Sequence, residues 1–118
     1  MAKHNDTGKL GERLALEWII EKGYKIIEKN WRCGHWELDI VASKEDKLHF
    51  FEVKTRRNTN YGYPEDLVDK KKLRFFISAG TEYIRQHPGF KWISYNILSI
   101  TIKSENDNQF FLIEDVYL

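Results

Sequence analysis

The residues best suited to chemistry are Glu52-Val53-Lys54 and, on an earlier segment, Asp39. Side chains on an extended strand alternate between faces, so Glu52 and Lys54 share one face and Asp39 on a neighbouring strand can come close to Glu52. Two carboxylates about 4 Å apart at an effective dielectric near 20 repel by about 4 kcal/mol. Such a pair must share a proton, hold a lysine or bind a cation. A hard divalent ion, Mg2+ or Mn2+, takes carboxylate oxygens, a backbone carbonyl and retained waters, which makes Asp39, Glu52 and the Val53 carbonyl a plausible ligand set. The ion would acidify a water and neutralise charge on a phosphate, while Lys54 orients the water or steadies the transition state. Glu-x-Lys is also frequent on exposed strands, where it does nothing. Here the strand carries Leu48, Phe50, Phe51 and Val53, and charges within so apolar a strand are costly unless paired.

Three strands are expected around these residues, over 24–30, 36–43 and 48–55, separated by Cys33-Gly34 and by the polar turn Lys44-Glu45-Asp46-Lys47. Such short connections favour an antiparallel meander. Strict alternation in the second strand puts Glu37 and Asp39 on one face and Leu38 and Ile40 on the other.

A helix over residues 8–22 should precede the strands. Asp6 or Thr7 could cap it, Gly23 could stop it, and Leu10, Leu14, Ala15, Trp18 and Ile19 form its apolar stripe. Glu12 falls at the stripe's edge. A second helix is expected over 69–87, capped by Asp69 and stopped by Pro88-Gly89, with Leu73, Phe76, Ile77, Gly80 and Ile84 inward. Residues 92–102 and 109–115 then read as a hairpin. The order is helix, three strands, helix, two strands.

A chain of 118 residues with 42% hydrophobic and 14% aromatic content supports one core; we assign residues 8–118 to a single domain and 1–7 to a flexible N-terminal segment. The lone cysteine, Cys33, excludes an intrachain disulfide, and the four histidines lack zinc spacing around it. His35 and His49 are not expected to be ligands. The chain shows neither a secretory nor a membrane-spanning pattern, so a soluble, cytoplasmic protein is expected. The net charge of +1 conceals a local excess: residues 54–74 carry seven basic side chains against three acidic ones, leaving −3 for the rest. Arg56, Lys71 and Lys72 in this stretch are candidate DNA contacts, with a solvated loop and helix start as the alternative. Trp31, Trp36 and Trp92 are expected in the core rather than as platforms for bases.

The runs Gly11-Glu12-Arg13, Asn30-Trp31-Arg32, Glu37-Leu38-Asp39-Ile40-Val41-Ala42 and Phe51-Glu52-Val53-Lys54-Thr55-Arg56, with Tyr61-Gly62, Pro64-Glu65 and the ending Ile113-Glu114-Asp115, resemble the YraN family of uncharacterised bacterial proteins. That family in turn resembles the PD-(D/E)XK restriction-endonuclease-like nucleases, most closely the archaeal Holliday-junction resolvases. The resemblance implies an α/β fold with a central mixed five-stranded sheet flanked by two main helices, in the order α-β-β-β-α-β-β. It implies a catalytic set of Glu12, Asp39, Glu52 and Lys54, with Glu37 supporting the metal or meeting substrate. It also implies a Mg2+- or Mn2+-dependent endonuclease acting on DNA, on branched or structured DNA in repair or recombination, and a homodimer. Ser94-Tyr95-Asn96 stands where many relatives have Arg-Phe-Asp, so no second metal or phosphate role is expected there. Two other functions are compatible with the same residues: a DNA-binding module that keeps the scaffold without turnover, and a scaffold for a protein partner using Tyr61, Tyr63 and Tyr117.

Overall fold

The computed structural model describes residues 2–57, 69–104 and 107–116, with side chains from Thr7 onward. Its elements are α1 (Ala2–Glu21), β1 (Lys25–Cys33), β2 (Trp36–Lys44), β3 (Lys47–Arg56), α2 (Lys70–Gln86), β4 (Trp92–Ser104) and β5 (Asp107–Ile113). They form one mixed sheet in the order β1-β2-β3-β4-β5. The first three strands are an antiparallel meander, α2 crosses over to bring β4 parallel to β3, and β5 returns antiparallel. The expected α/β architecture and element order are therefore observed.

Local chemistry explains the boundaries. α1 begins at Ala2 rather than Gly8, and no proline or glycine in residues 2–7 obstructs it. It ends in a Schellman motif: Gly23 has φ +95, its N–H donates to the Ile20 carbonyl, and the Tyr24 N–H donates to the Ile19 carbonyl. At the start of α2 the Asp69 carboxylate accepts the Lys71 N–H at 2.8 Å, as expected of a cap. The β2–β3 hairpin closes tightly, with Lys44 opposite Lys47 and positive φ at both central residues, Glu45 and Asp46. Positive φ at both positions is the mark of a type I′ turn.

The helices cover opposite faces. α1 places Ala15 and Ile19 against Ile40, Ala42, Phe51, Leu98 and Ile100, whereas α2 places Leu73, Phe76, Ala79 and Tyr83 against Trp31, Leu38, Val41, Leu48 and Phe50. Adjacent residues of β3, Phe50 and Phe51, thus belong to different cores. Ala79 and Tyr83 line the inward side of α2 together with Leu73, Phe76 and Gly80, while Ile77 and Ile84 are only partly buried. β4 is buried continuously from Asn96 to Ile102, because both of its faces are covered.

Two helical glycines mark close approaches. A Cβ on Gly11 would sit 1.9 Å from Thr55 Oγ1, so only glycine lets α1 lie this near β3. A Cβ on Gly80 would meet the Tyr95 ring at 2.4 Å, and the Tyr95 hydroxyl uses that space to donate to the Ile77 carbonyl at 3.1 Å.

Trp31 is buried as expected, but Trp92 is 67% exposed, an outlying position at the start of β4 that no helix covers. Trp36 is half-buried at the sheet's margin. Tyr61, Tyr63, Tyr117 and most of the loop before α2 lie outside the described residues. Among the described residues, no helix is long and apolar enough to cross a membrane.

Candidate functional site

The site lies where β2 and β3 stop pairing. Their ladder runs from Lys44 opposite Lys47 to Ile40 opposite Phe51, and the next positions, Asp39 and Glu52, are no longer partners. The Asp39 carboxylate instead accepts the Val53 N–H at 2.8 Å, standing in for a strand that has moved away. In an extended strand the N–H and C=O of one residue leave on the same edge. The Val53 carbonyl therefore points into the same gap.

The divergence coincides with an irregularity in β1. Asn30 lies opposite Asp39 in the register, between the pairs Lys29–Ile40 and Trp31–Leu38, and its φ is +52. Asparagine tolerates this left-handed conformation better than most residues. The turn of backbone switches faces: Leu38 belongs to the core under α2, while Ile40, two residues on, belongs to the core under α1. Strict alternation through Glu37-Leu38-Asp39-Ile40 is thereby corrected. An asparagine inside an otherwise strand-like run was the signal for it in the sequence.

Asp39 consequently stands in a window between the two sheet faces. On the α1 side, a cleft of ≈ 560 Å³ is lined by Thr7, Glu12, Asp39, Val53, Thr55, Arg56 and Arg57. On the α2 side, a second cleft of ≈ 290 Å³ brings Asp39 together with Glu37, Glu52 and Lys72. Of the anticipated acids, Glu12 meets Asp39 from one face and Glu52 meets it from the other. Lys54 influences Glu52 by its charge, but it is not among the described residues lining either cleft. Lys71 is exposed on the first turn of α2.

Electrostatics single out Asp39. Burial raises its pKa to about 6, with further repulsion from Glu52, Glu37 and Glu12, and the Val53 hydrogen bond only partly opposes them. Glu52 is raised too, chiefly by burial, while Lys54 and Lys72 pull it back down. The Glu37 carboxylate lies 3.8 Å from the Arg32 guanidinium, both well exposed, a geometry worth little in energy. Among the described residues the ion pairs are Arg32–Glu37 and Arg85–Glu82, so no lysine in salt-bridge contact neutralises Asp39 or Glu52.

The donors that face this gap are hard oxygens, which suit Mg2+ or Mn2+. No group of three histidine, cysteine, aspartate or glutamate side chains close enough to hold an ion occurs among the described residues. An ion here would rest on two carboxylates, the Val53 carbonyl and water. On the α1 side, Arg57 Nε donates to Thr7 Oγ1 at 2.9 Å, and the three guanidinium nitrogens of Arg56 are buried without a hydrogen-bond partner among the described residues. A buried cation without a partner is costly, and a phosphate oxygen would satisfy it.

Residues 11–106 match the family described as Uncharacterised protein family UPF0102. The chain belongs to the UPF0102 family. A UPF0102 protein of Bacteroides thetaiotaomicron is 44% identical over 108 residues, 92% of this chain and 88% of its own. One from Phocaeicola vulgatus is 44% identical over 100 residues, covering 85% and 83%. A third, from Syntrophomonas wolfei, is 39% identical over 101 residues, covering 85% and 88%. The stretch matched by the UPF0102 family contains Glu12, Asp39, Glu52 and Lys54 together with both glycines, Gly11 and Gly80, that set the helix approaches.

Proposed function

We propose that this UPF0102 chain is a metal-dependent nuclease that hydrolyses DNA phosphodiester bonds, acting on branched or otherwise structured DNA. The observation that supports the reading most is the Asp39 carboxylate, fixed by the Val53 N–H at the edge of a broken ladder beside Glu52 and without an ion-pair partner among the described residues. Asp39, Glu52 and the Val53 carbonyl would hold Mg2+ or Mn2+, which supplies charge neutralisation at the phosphate and a more acidic water. Lys54 and Lys72 set the potential around Glu52 and offer ammonium groups to a phosphate oxygen. Arg56 and Arg57, on the other side of the window, bind and orient the backbone of the polyanion. Glu12 faces Asp39 from that side and positions solvent or polarises it. A substrate with two strands to cut requires two such sites, hence a homodimer, and the setting is the bacterial cytoplasm.

The test is a panel of duplex, single-stranded, flap and four-way-junction DNA with Mg2+ or Mn2+. The wild-type protein nicks at least one substrate, and Glu52→Gln or Lys54→Ala lowers the rate by roughly a hundredfold or more. No cleavage of any substrate with either metal would overturn the reading.

A DNA-binding module without turnover is the second reading. It is favoured by the placement of Glu12 and Glu52 in different clefts, which divides the acids that a nuclease would gather. In that case Arg56→Glu and Lys72→Glu weaken a steeply salt-dependent DNA affinity, and Glu52→Gln leaves it unchanged.

A further inference from the structure

The cleft on the α2 side has an aromatic wall. His35 and Trp36 approach to 4.1 Å between ring centroids, Trp36 and Phe75 to 5.8 Å, and His35 and Phe75 to 6.3 Å. All three line the same cleft as Asp39, Glu52 and Lys72. Trp36 packs in part against the core under α2, but the wall reaches beyond it: Phe75 is 47% exposed, while its α2 neighbours Leu73 and Phe76 are 5% and 4% exposed. Its position is set by two elements that also build the acid site. β2 opens with Trp36 three residues before Asp39, and the first turns of α2 present Lys72 and Phe75 together.

An exposed aromatic surface rimmed by charge marks a binding site, and the charges here indicate its occupant. A cationic Lys72 and a pair of carboxylates suited to a divalent ion complement a phosphate. Aromatic rings immediately beside them complement the flat, apolar face of a nucleobase. We propose that the His35–Trp36–Phe75 wall stacks an unpaired base next to the phosphate held at Asp39 and Glu52, so that the substrate is DNA with an unstacked nucleotide at the reaction site. Bases inside a continuous duplex have both faces covered by their neighbours and cannot reach such a wall without being extruded. Bulges, flaps and junction centres supply an unstacked base at small cost. Stacking reads no base edge, so the selection is for structure over sequence. The proposal rests on the nuclease reading for the position of the phosphate, but stacking can be measured without cleavage.

The experiment is fluorescence anisotropy in Ca2+, a hard cation for the same oxygens, with the full chain and three labelled duplexes: fully paired, with a single-thymidine bulge, and with an abasic residue at the bulge. The thymidine bulge binds roughly tenfold more tightly than the other two, the gain expected of one stacked base. Phe75→Leu keeps apolar bulk without the ring, and erases the preference while leaving affinity for the paired duplex unchanged. Phe75→Tyr retains it. Equal affinity for thymidine and abasic bulges, or a preference that survives Phe75→Leu, overturns the proposal. So does conversion of a dimer to a monomer by Phe75→Leu with the preference intact, which would give the wall to a second copy of the chain. Cleavage is not read in this assay, so a protein that cuts nothing is still judged on its preference for the base.

Discussion

The two ends of the β2–β3 hairpin solve the same problem in opposite ways. At the closed end the ladder is complete down to the Glu45–Asp46 turn, and on β4, across β3 from β2, the buried polar groups satisfy one another. Asn96, 2% exposed, accepts the Ser94 hydroxyl at 2.9 Å and the Asp115 N–H at 3.2 Å, and donates to the Phe50 carbonyl at 3.2 Å. Ser94 also bonds the Asp115 carboxylate. At the open end the ladder stops, and Asp39 has one backbone donor while three acids repel it. Polar burial on β4 stabilises the fold; at the open end of the hairpin it costs stability and leaves a site that an outside cation would relieve.

That difference can be broken from either side. The largest stability effect belongs to the β4 network. Asn96→Ala strands the Phe50 carbonyl and the Asp115 N–H together, and should cost about 2–4 kcal/mol in chemical denaturation. A loss below about 1 kcal/mol would mean that water replaces the asparagine.

The open end should respond with the opposite sign. The Asp39 carboxyl titrates at about 6 in the folded chain against an ordinary 3.8. The folded state thus holds the proton more tightly, and stability from this group is fully present below about pH 4 and declines as pH rises to 6. Asp39→Asn, which keeps an acceptor for the Val53 N–H, should raise stability at pH 8 by up to about 3 kcal/mol and abolish any metal-dependent activity. The gain should shrink as pH falls from 6 toward 4. A variant that is less stable than wild type at pH 8 would show that Asp39 is a structural asset.

Two smaller effects sharpen the comparison. Gly11→Ala drives a methyl group into Thr55 and should cost about 1–3 kcal/mol, recovered in part by Thr55→Ala, because it pushes α1 and Glu12 away from the open end. At the closed end, Asp46→Gly relieves a positive φ of 65 and should add about 0.5–1 kcal/mol, read from the thermal midpoint. It should leave the open end untouched, since the ladder between them stays paired.

The closed end was legible in the sequence because it follows local rules. Lys44-Glu45-Asp46-Lys47 marked a turn, Asp69 and Gly23 marked helix ends, and periodicity recovered all seven elements. Where local rules were suspended, reading failed. Alternation put Leu38 and Ile40 on one face, but the backbone turn at Asn30 separates them into different cores. Pairing brought Asp39 near Glu52, but it did not show that the strands part there and that the carboxylate reaches a main-chain N–H. Trp36 was assigned to the core because size and hydrophobicity alone cannot distinguish a tryptophan packed beneath α2 from one at the lip of a cleft. The residue types of the site were visible in one dimension. Their division between two faces depends on a kink that only pairing reveals.

The central claim is that the gap between Asp39, Glu52 and the Val53 carbonyl is a divalent-cation site. Anomalous diffraction from a crystal of the full chain soaked in Mn2+ tests it most directly. A peak is expected, bounded by the two carboxylates and the Val53 carbonyl and absent in Asp39→Asn. A gap without manganese and closed by the Lys54 ammonium in a salt bridge to Glu52 would contradict it.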